Sequence, residues 1–242
     1  MSHNIFLKRF LIIFKLKWIK ILIKGKLLSF SSFEIVSNLK QIAPQLKTIL
    51  DVGANQGQFQ KASNYFYPTA SISSFEPIPE LYLKLESFKK SRFIKNYNLA
   101  LGNQEGNLKF NENEYNHSSS FLDINEENNN FPSNKTKKIS VNTTTLDSFS
   151  ESLEINSPSL LKLDVQGFEL EVLKGATNTI KTKIDYIIVE TNFEELYKNQ
   201  PSFTELNTFL NQNGFQLKAM LDCNMGNKLN YIEADFLYKK VL

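Results

Sequence analysis

The string Asp51-Val52-Gly53-Ala54-Asn55-Gln56-Gly57 ends an apolar run that starts at Thr48 and opens a segment of helical spacing reaching about Tyr67. A turn of this kind sets backbone N–H groups at a helix N-terminus, and glycines at 53 and 57 let a ligand approach closely. Glu76, 25 residues after Asp51, ends the next apolar run; a carboxylate there can accept hydrogen bonds from both hydroxyls of a ribose. A dinucleotide fingerprint would need glycine where Asn55 and Gln58 stand, so a pyrophosphate cradle is disfavoured and the pair fits a smaller nucleoside cofactor. The same residues would also serve a tight turn and a helix cap. Two more carboxyls close apolar runs further on: Asp164, at the end of Leu160 to Val165 and followed by Gly167, and Glu190, at the end of Tyr186 to Glu190, with Asn192 two residues beyond.

These groups need a frame that brings run ends together. Helical spacing over Phe33 to Ala43 is stopped by Pro44. Strand patterns follow at Thr48 to Val52, Ala70 to Phe75, Phe93 to Leu99, Leu160 to Val165 and Tyr186 to Glu190. Helical segments alternate with them near 57–67, 79–90 and 168–178. Short apolar strands alternating with helices of about a dozen residues predict an α/β protein, a mostly parallel sheet with helices on both faces. Additional strands are expected at Leu108 to Phe110 and Ile139 to Thr143, and the chain closes with a helix at Phe203 to Gln212 and strands at Phe215 to Leu221 and Ala234 to Lys239. Between them Asn111 to Lys138 is a polar insertion rich in Asn, Ser and Glu, either a disordered excursion or a functional lid.

Charge and composition narrow the partners. The 242 residues suffice for one sizeable core, and the formal charge is +3. Seven basic residues, Lys8 to Lys26, precede the first acidic one, Glu34; removing them from the 28 basic residues leaves 21 against 25 acidic. The body of the chain is thus mildly acidic, which disfavours a nucleic-acid partner. A lone cysteine, Cys223, can form no internal disulfide, and a reducing cytoplasmic compartment fits. Lysines interrupt the apolar N-terminal segment every few residues, so a spanning helix or a secretory leader is not expected. Residues 1–30 instead read as a basic amphipathic helix, ahead of a domain over 31–242. At 100° per residue Leu7, Phe10, Leu11, Phe14, Trp18, Ile21 and Leu22 share one stripe. Such a helix would lie on the inner surface of a membrane, its lysines reaching anionic headgroups; packing against the catalytic domain or a second subunit is the rival expectation.

Seven motifs then occur in series: DVGANQG at Asp51, FEPIPE at Phe75, NLALG at Asn98, HSSSF at His117, TTLDSF at Thr144, LLKLDVQGFELEVLKGA at Leu160 and IIVE at Ile187. Over about Thr48 to Tyr238 the chain resembles the FkbM family of S-adenosylmethionine-dependent methyltransferases. The resemblance implies a Rossmann-like class I methyltransferase fold, with a seven-stranded, mostly parallel sheet whose last strand is antiparallel. It implies O-methylation of a sugar or polyketide hydroxyl. It also implies that Asp51, Gly53, Asn55 and Gly57 serve the methionine part of the cofactor, Glu76 the ribose, and Asn98 and Ala100 the adenine.

For such a transfer the protein must hold the acceptor oxygen in line and remove its proton. Asp164 and Glu190, at strand ends, and His117, in the loop after the third strand, are the candidate catalytic groups. Asp164, Glu190 and Asn192 would together suit a hard divalent cation, though no metal ligands are assigned. Glu169 either joins the site or holds its loop. After the fourth strand a base-flipping enzyme would carry Asn or Asp, two prolines and an aromatic; Asp164-Val165-Gln166-Gly167 stands there instead. A sugar hydroxyl of a glycan or glycolipid is the expected acceptor, with a small natural-product hydroxyl, or a non-catalytic S-adenosylmethionine-binding module, as alternatives.

Overall fold

The computed structural model describes residues 29–89, 91–113, 119–125, 136–225 and 231–241. The expected amphipathic segment lies outside these residues except for its last two. Helix α1, Phe30–Ile42, starts three residues earlier than the apolar spacing indicates. The Ser29 side chain caps it by accepting from the Ser32 N–H.

From there strand and helix alternate: β1 Thr48–Val52, α2 Gln58–Phe66, β2 Ser71–Phe75, α3 Pro79–Phe88 and β3 Ile94–Tyr97. After an excursion to a second sheet come β7 Ser159–Leu163, α5 Glu169–Lys174, α6 Thr177–Lys183, β8 Tyr186–Asn192, α7 Phe203–Gln212, β9 Phe215–Met225 and β10 Tyr231–Lys240. The main sheet has seven strands in the order β3-β2-β1-β7-β8-β10-β9. Its first five run parallel; β10 is antiparallel to both neighbours. β1 and β7 are buried along their whole length, as central strands covered on both faces must be.

Alternation along the strands separates two cores. Ile49, Ile72, Leu160 and Ile188 face α1 and α2, and Leu50, Leu161, Ile187 and Val189 face α5, α6 and α7. The sequence pattern joins 168–178 in one helix, whereas the structure breaks it at Gly175 and Ala176. A Cβ on Gly175 would lie 1.9 Å from the Gly102 carbonyl oxygen, so the helix ends where that loop presses on it. The Asp147 carboxylate then accepts from Asn178 N and Thr179 N, starting α6 afresh.

The strand expected over 93–99 also divides. β3 ends at Tyr97, and β4, Ala100–Leu101, turns away to pair with β6, Thr136–Thr144, in a three-stranded sheet completed by β5, Gly106–Asn113. Both flanks of the polar insertion are therefore strand. Residues 119–125, within it, form a strap bonded to Asn111 at one end and to Leu196 and Lys198 at the other. The chain from β6 to β7 holds α4, Leu146–Phe149, and a 3₁₀ turn, Ser150–Ser152.

Candidate active site

The carboxyl ends of the parallel strands open into a cavity of about 720 Å³, within the range of small-molecule sites. One end is built by the turn after β1. Gly53 and Ala54 both donate to the Phe75 carbonyl, at 3.1 and 3.0 Å, which locks the turn against β2. Glu76, buried, fixes the next residues: its Oε2 accepts from Asn55 N at 2.7 Å and its Oε1 from Ile78 N at 2.9 Å. Burial raises this carboxyl to about 7 against the lowering effect of those two N–H groups.

The glycines act differently from the open cradle that the sequence suggests. A Cβ on Gly53 would stand 1.8 Å from the Asp164 carbonyl oxygen, so this residue, at φ 80°, lets the exit of β7 pass beside the turn. Gly57, at φ 81°, forms the left-handed start of α2 and donates to Ala54 O. The N–H groups of Gly53, Ala54, Asn55 and Gly57 are thus engaged within the protein. What this end offers a ligand is chiefly the Glu76 carboxylate, Asn55 and the apolar slot formed with Ala100 and Leu101.

The other residues matched to the cofactor are placed less directly. Asp51 is fully buried behind the wall, because alternation from Ile49 turns it onto the α1–α2 face. There it lies 3.9 Å from the Lys162 ammonium; burial raises its carboxyl to about 6, against that cation. Asn98 donates to the carbonyls of Glu76 and Pro77, at 3.0 and 2.9 Å, and so braces the exit of β2. Ala100 lines the cavity.

At the far end the two candidate carboxyls meet. Lys162, on β7, donates to Asp164 Oδ2 at 2.7 Å; its side chain is 6% exposed while that of Asp164 is 33% exposed. Gln166 Nε2 donates to Asp164 Oδ1 at 2.9 Å and to Glu190 Oε2 at 2.7 Å. Gln166 Oε1 accepts from the Tyr197 hydroxyl at 2.9 Å, and its backbone carbonyl accepts from Ser120 Oγ of the strap at 2.6 Å. One amide side chain, on a residue at φ 55°, therefore sets the orientation of both acids.

Their protonation differs sharply. Burial alone would raise Asp164, yet Lys162 and the hydrogen bonds from its neighbours hold it below the usual carboxylate range. Burial, then the charges of Asp164, Asp235 and Glu233, push Glu190 well above its usual range. Asp235 stands directly opposite Glu190 on β10. Two neighbouring carboxyls driven apart in this way leave Asp164 the readier to ionise and Glu190 the readier to hold a proton.

Glu169 serves the loop: its Oε1 accepts from Val165 N and Gly167 N at 3.0 and 3.2 Å. Between Asp164 and Glu190 stands the Gln166 amide donor, bonded to both. Among the described residues no three His, Cys, Asp or Glu side chains are grouped so as to hold a metal. His117 lies outside the described residues.

Lys162, Gln166, Tyr197, Glu233 and Asp235 escape the sequence reading. The lysine carries a usable signal, since a charge inside an otherwise apolar buried strand needs a partner. Gln166 and Tyr197 carry none, as their contact depends on the β8–α7 connection returning over the site. That return also brings in Leu196, and with Phe110 and Phe121, edge to face at 4.9 Å, it forms the apolar side of the wall.

The model of the methyltransferase FkbM domain matches residues 51–217. The chain belongs to the FkbM methyltransferase family. Hexuronic acid methyltransferase AglP from Haloferax volcanii is 31% identical over 65% of this chain and 61% of its own, so the match spans about three fifths of that relative. The 2-O-methyltransferase NoeI from Sinorhizobium fredii is 27% identical over 69% of this chain and 71% of its own. The crystal structure of methyltransferase FkbM from Methylobacillus flagellatus superposes with a TM-score of 0.51 at 14% identity, covering 80% of this chain and 43% of that one. The fold is that of the class I methyltransferases, with one antiparallel strand, β10, inserted next to the edge of the sheet.

Proposed function

We propose that this FkbM-family chain transfers a methyl group from S-adenosylmethionine to a hydroxyl of a carbohydrate. The observation that carries the reading is the polarity of one cavity, a buried strand-end acid at one end and a split acid pair at the other. The residues fit the cofactor: Glu76 is placed for ribose hydroxyls, Asn55 and the turn after β1 for the amino-acid portion, and Ala100 with Leu101 for a flat base. When bound, the cofactor supplies a methyl group already activated on a sulfonium.

The remaining work belongs to the protein. Asp164, ionised and open to the cavity, accepts the proton of the acceptor hydroxyl as it reacts. Glu190, the more readily protonated of the two acids, and the Lys162 ammonium keep Asp164 oriented and stabilise its charge until the proton arrives. Phe110 and Phe121 offer an apolar face to a sugar ring, and the strap at 119–125 limits access of water. The relatives designated by hexuronic acid and by a 2-O position support a carbohydrate acceptor.

Within the same reading, residues 1–30 attach the domain 31–242 to an anionic membrane surface, which would suit a glycolipid acceptor on the cytoplasmic side. No helix among the described residues is long and apolar enough to cross a membrane. Calorimetric titration with S-adenosylmethionine, followed by transfer of its tritiated methyl group to a panel of glycosides, tests the proposal. Binding with transfer to carbohydrate is the expected result; binding without transfer to any hydroxyl would contradict it.

A further inference from the structure

The charges on the cavity wall are unbalanced. Its ionisable groups, among the described residues, are Glu76, Asp164, Glu190, Glu233 and one cation, Lys162. That cation is already committed: it sits 2.7 Å from Asp164 and 3.9 Å from Asp51, with 6% of its side chain exposed. Behind the wall the acidic character continues, with Asp235 opposite Glu190 in the β8–β10 pair and Asp222 opposite Asp235 in the β9–β10 pair.

A sugar bearing a carboxylate or phosphate on the ring would need a desolvated cation, usually an arginine fork, to offset the loss of water. The described wall supplies no arginine or histidine, and withdrawing Lys162 from its two partners would leave Asp51 buried without a counter-charge. An anionic ring would instead lie against the ionised Asp164, beside carboxyls that each added negative charge pushes further up, in a partly desolvated space. The acids raise one another already: the charges of Asp164, Asp235 and Glu233 add to burial in lifting Glu190.

We infer that the acceptor end of this cavity selects an uncharged sugar ring and rejects one that carries a carboxylate or phosphate. The inference rests on the carbohydrate-acceptor reading above and adds the charge of the ring that enters. A neutral ring can give its hydroxyl protons to Asp164 and Glu233 and lay its apolar face on Phe121, leaving the Lys162 pairings undisturbed. A neutral hydroxyl is also the acceptor that needs a base, whereas a carboxylate oxygen attacks without one; a wall rich in carboxylates suits the former.

The test uses the full chain and matched pairs of 4-nitrophenyl glycosides that differ only at C6, glucoside against glucuronide and galactoside against galacturonide. Equilibrium binding is measured by calorimetry in the presence of S-adenosylhomocysteine, and tritiated methyl transfer from S-adenosylmethionine in parallel. The expected result is that the neutral member of at least one pair binds at least about tenfold more tightly than its uronide. Glu233→Gln should narrow that ratio. Uronides that bind as tightly as their neutral partners, or a ratio untouched by Glu233→Gln, would overturn the inference. Neutral-selective binding with no transfer to any member would leave the inference standing and count against the methyl-transfer reading, and a cavity that binds neither member would overturn both.

Discussion

Replacing Lys162 with methionine keeps most of the apolar stem of the side chain but removes the cation that stands beside two carboxylates. Asp51 is fully buried and Asp164 lies 2.7 Å from the ammonium. Removing one partner of a buried ion pair typically costs about 3–5 kcal/mol, since the remaining charge is stranded. In a domain of this size each kcal/mol lowers Tm by about 2–4 °C, so Lys162→Met should melt on the order of 10 °C below the wild type at pH 8. The penalty must depend on pH. Burial holds Asp51 at about 6 even with the lysine present. Its folded value exceeds its unfolded one, so proton uptake stabilises the folded state as pH falls through that range. Without the lysine it takes up its proton at still higher pH, and at pH 5.5 the fully buried Asp51 is no longer a stranded charge. Lys162 itself is held well above its usual range and stays charged throughout. Thermal melts of both proteins at pH 8 and pH 5.5 should therefore show the deficit shrinking to less than half at the lower pH. An equal deficit at both values would refute the buried-pair reasoning.

Three further outcomes are expected. Gly53→Ala, whose Cβ would stand 1.8 Å from the Asp164 carbonyl oxygen at φ 80°, should cost more than about 2 kcal/mol in chemical denaturation; a neutral effect would mean that the turn and the β7 exit separate freely. Glu76→Ala should weaken S-adenosylmethionine binding by about 1.5–3 kcal/mol, or roughly 10- to 150-fold, the scale of hydrogen bonds to a charged group, and unchanged calorimetric affinity in a folded variant would remove that end of the site. Full-length protein should co-sediment with anionic liposomes while a chain starting near Ser31 should not; equal, negligible sedimentation of both would dispose of the membrane attachment.

Much of this architecture was legible because its signals are local. The apolar runs at 48–52, 70–75, 160–165 and 186–190 become buried parallel strands since nothing else can hide Leu50, Leu161 and Ile187 on one face and Ile49, Leu160 and Ile188 on the other. Glu76, Asp164 and Glu190 line one cavity because strand ends converge at one edge of such a sheet. What escaped depends on contacts distant in sequence. The break at Gly175 comes from the Gly102 loop, and the turning away of β4 comes from pairing with β6, some 40 residues on. The close approach of Gly53 to Asp164 is hidden from the sequence for the same reason. Gln166, which orients both acids, looks from sequence like any polar loop residue; only the return of Tyr197 and the strap at Ser120 give it partners on every side.

The pairing of a strand-end cofactor acid with a separate proton acceptor is tested most directly by Asp164→Asn, which keeps the size of the side chain and one acceptor oxygen while abolishing the base. The measurement is transfer of the tritiated methyl group of S-adenosylmethionine to a neutral glycoside, alongside calorimetric titration of the cofactor on the same preparation. Cofactor affinity should stay within a few-fold of wild type while turnover falls by roughly 10² to 10⁴, the range associated with acid–base groups. Full turnover by the variant with unimpaired cofactor binding would contradict the assignment of Asp164 and, with it, the division of the cavity into a cofactor end and a proton-accepting end.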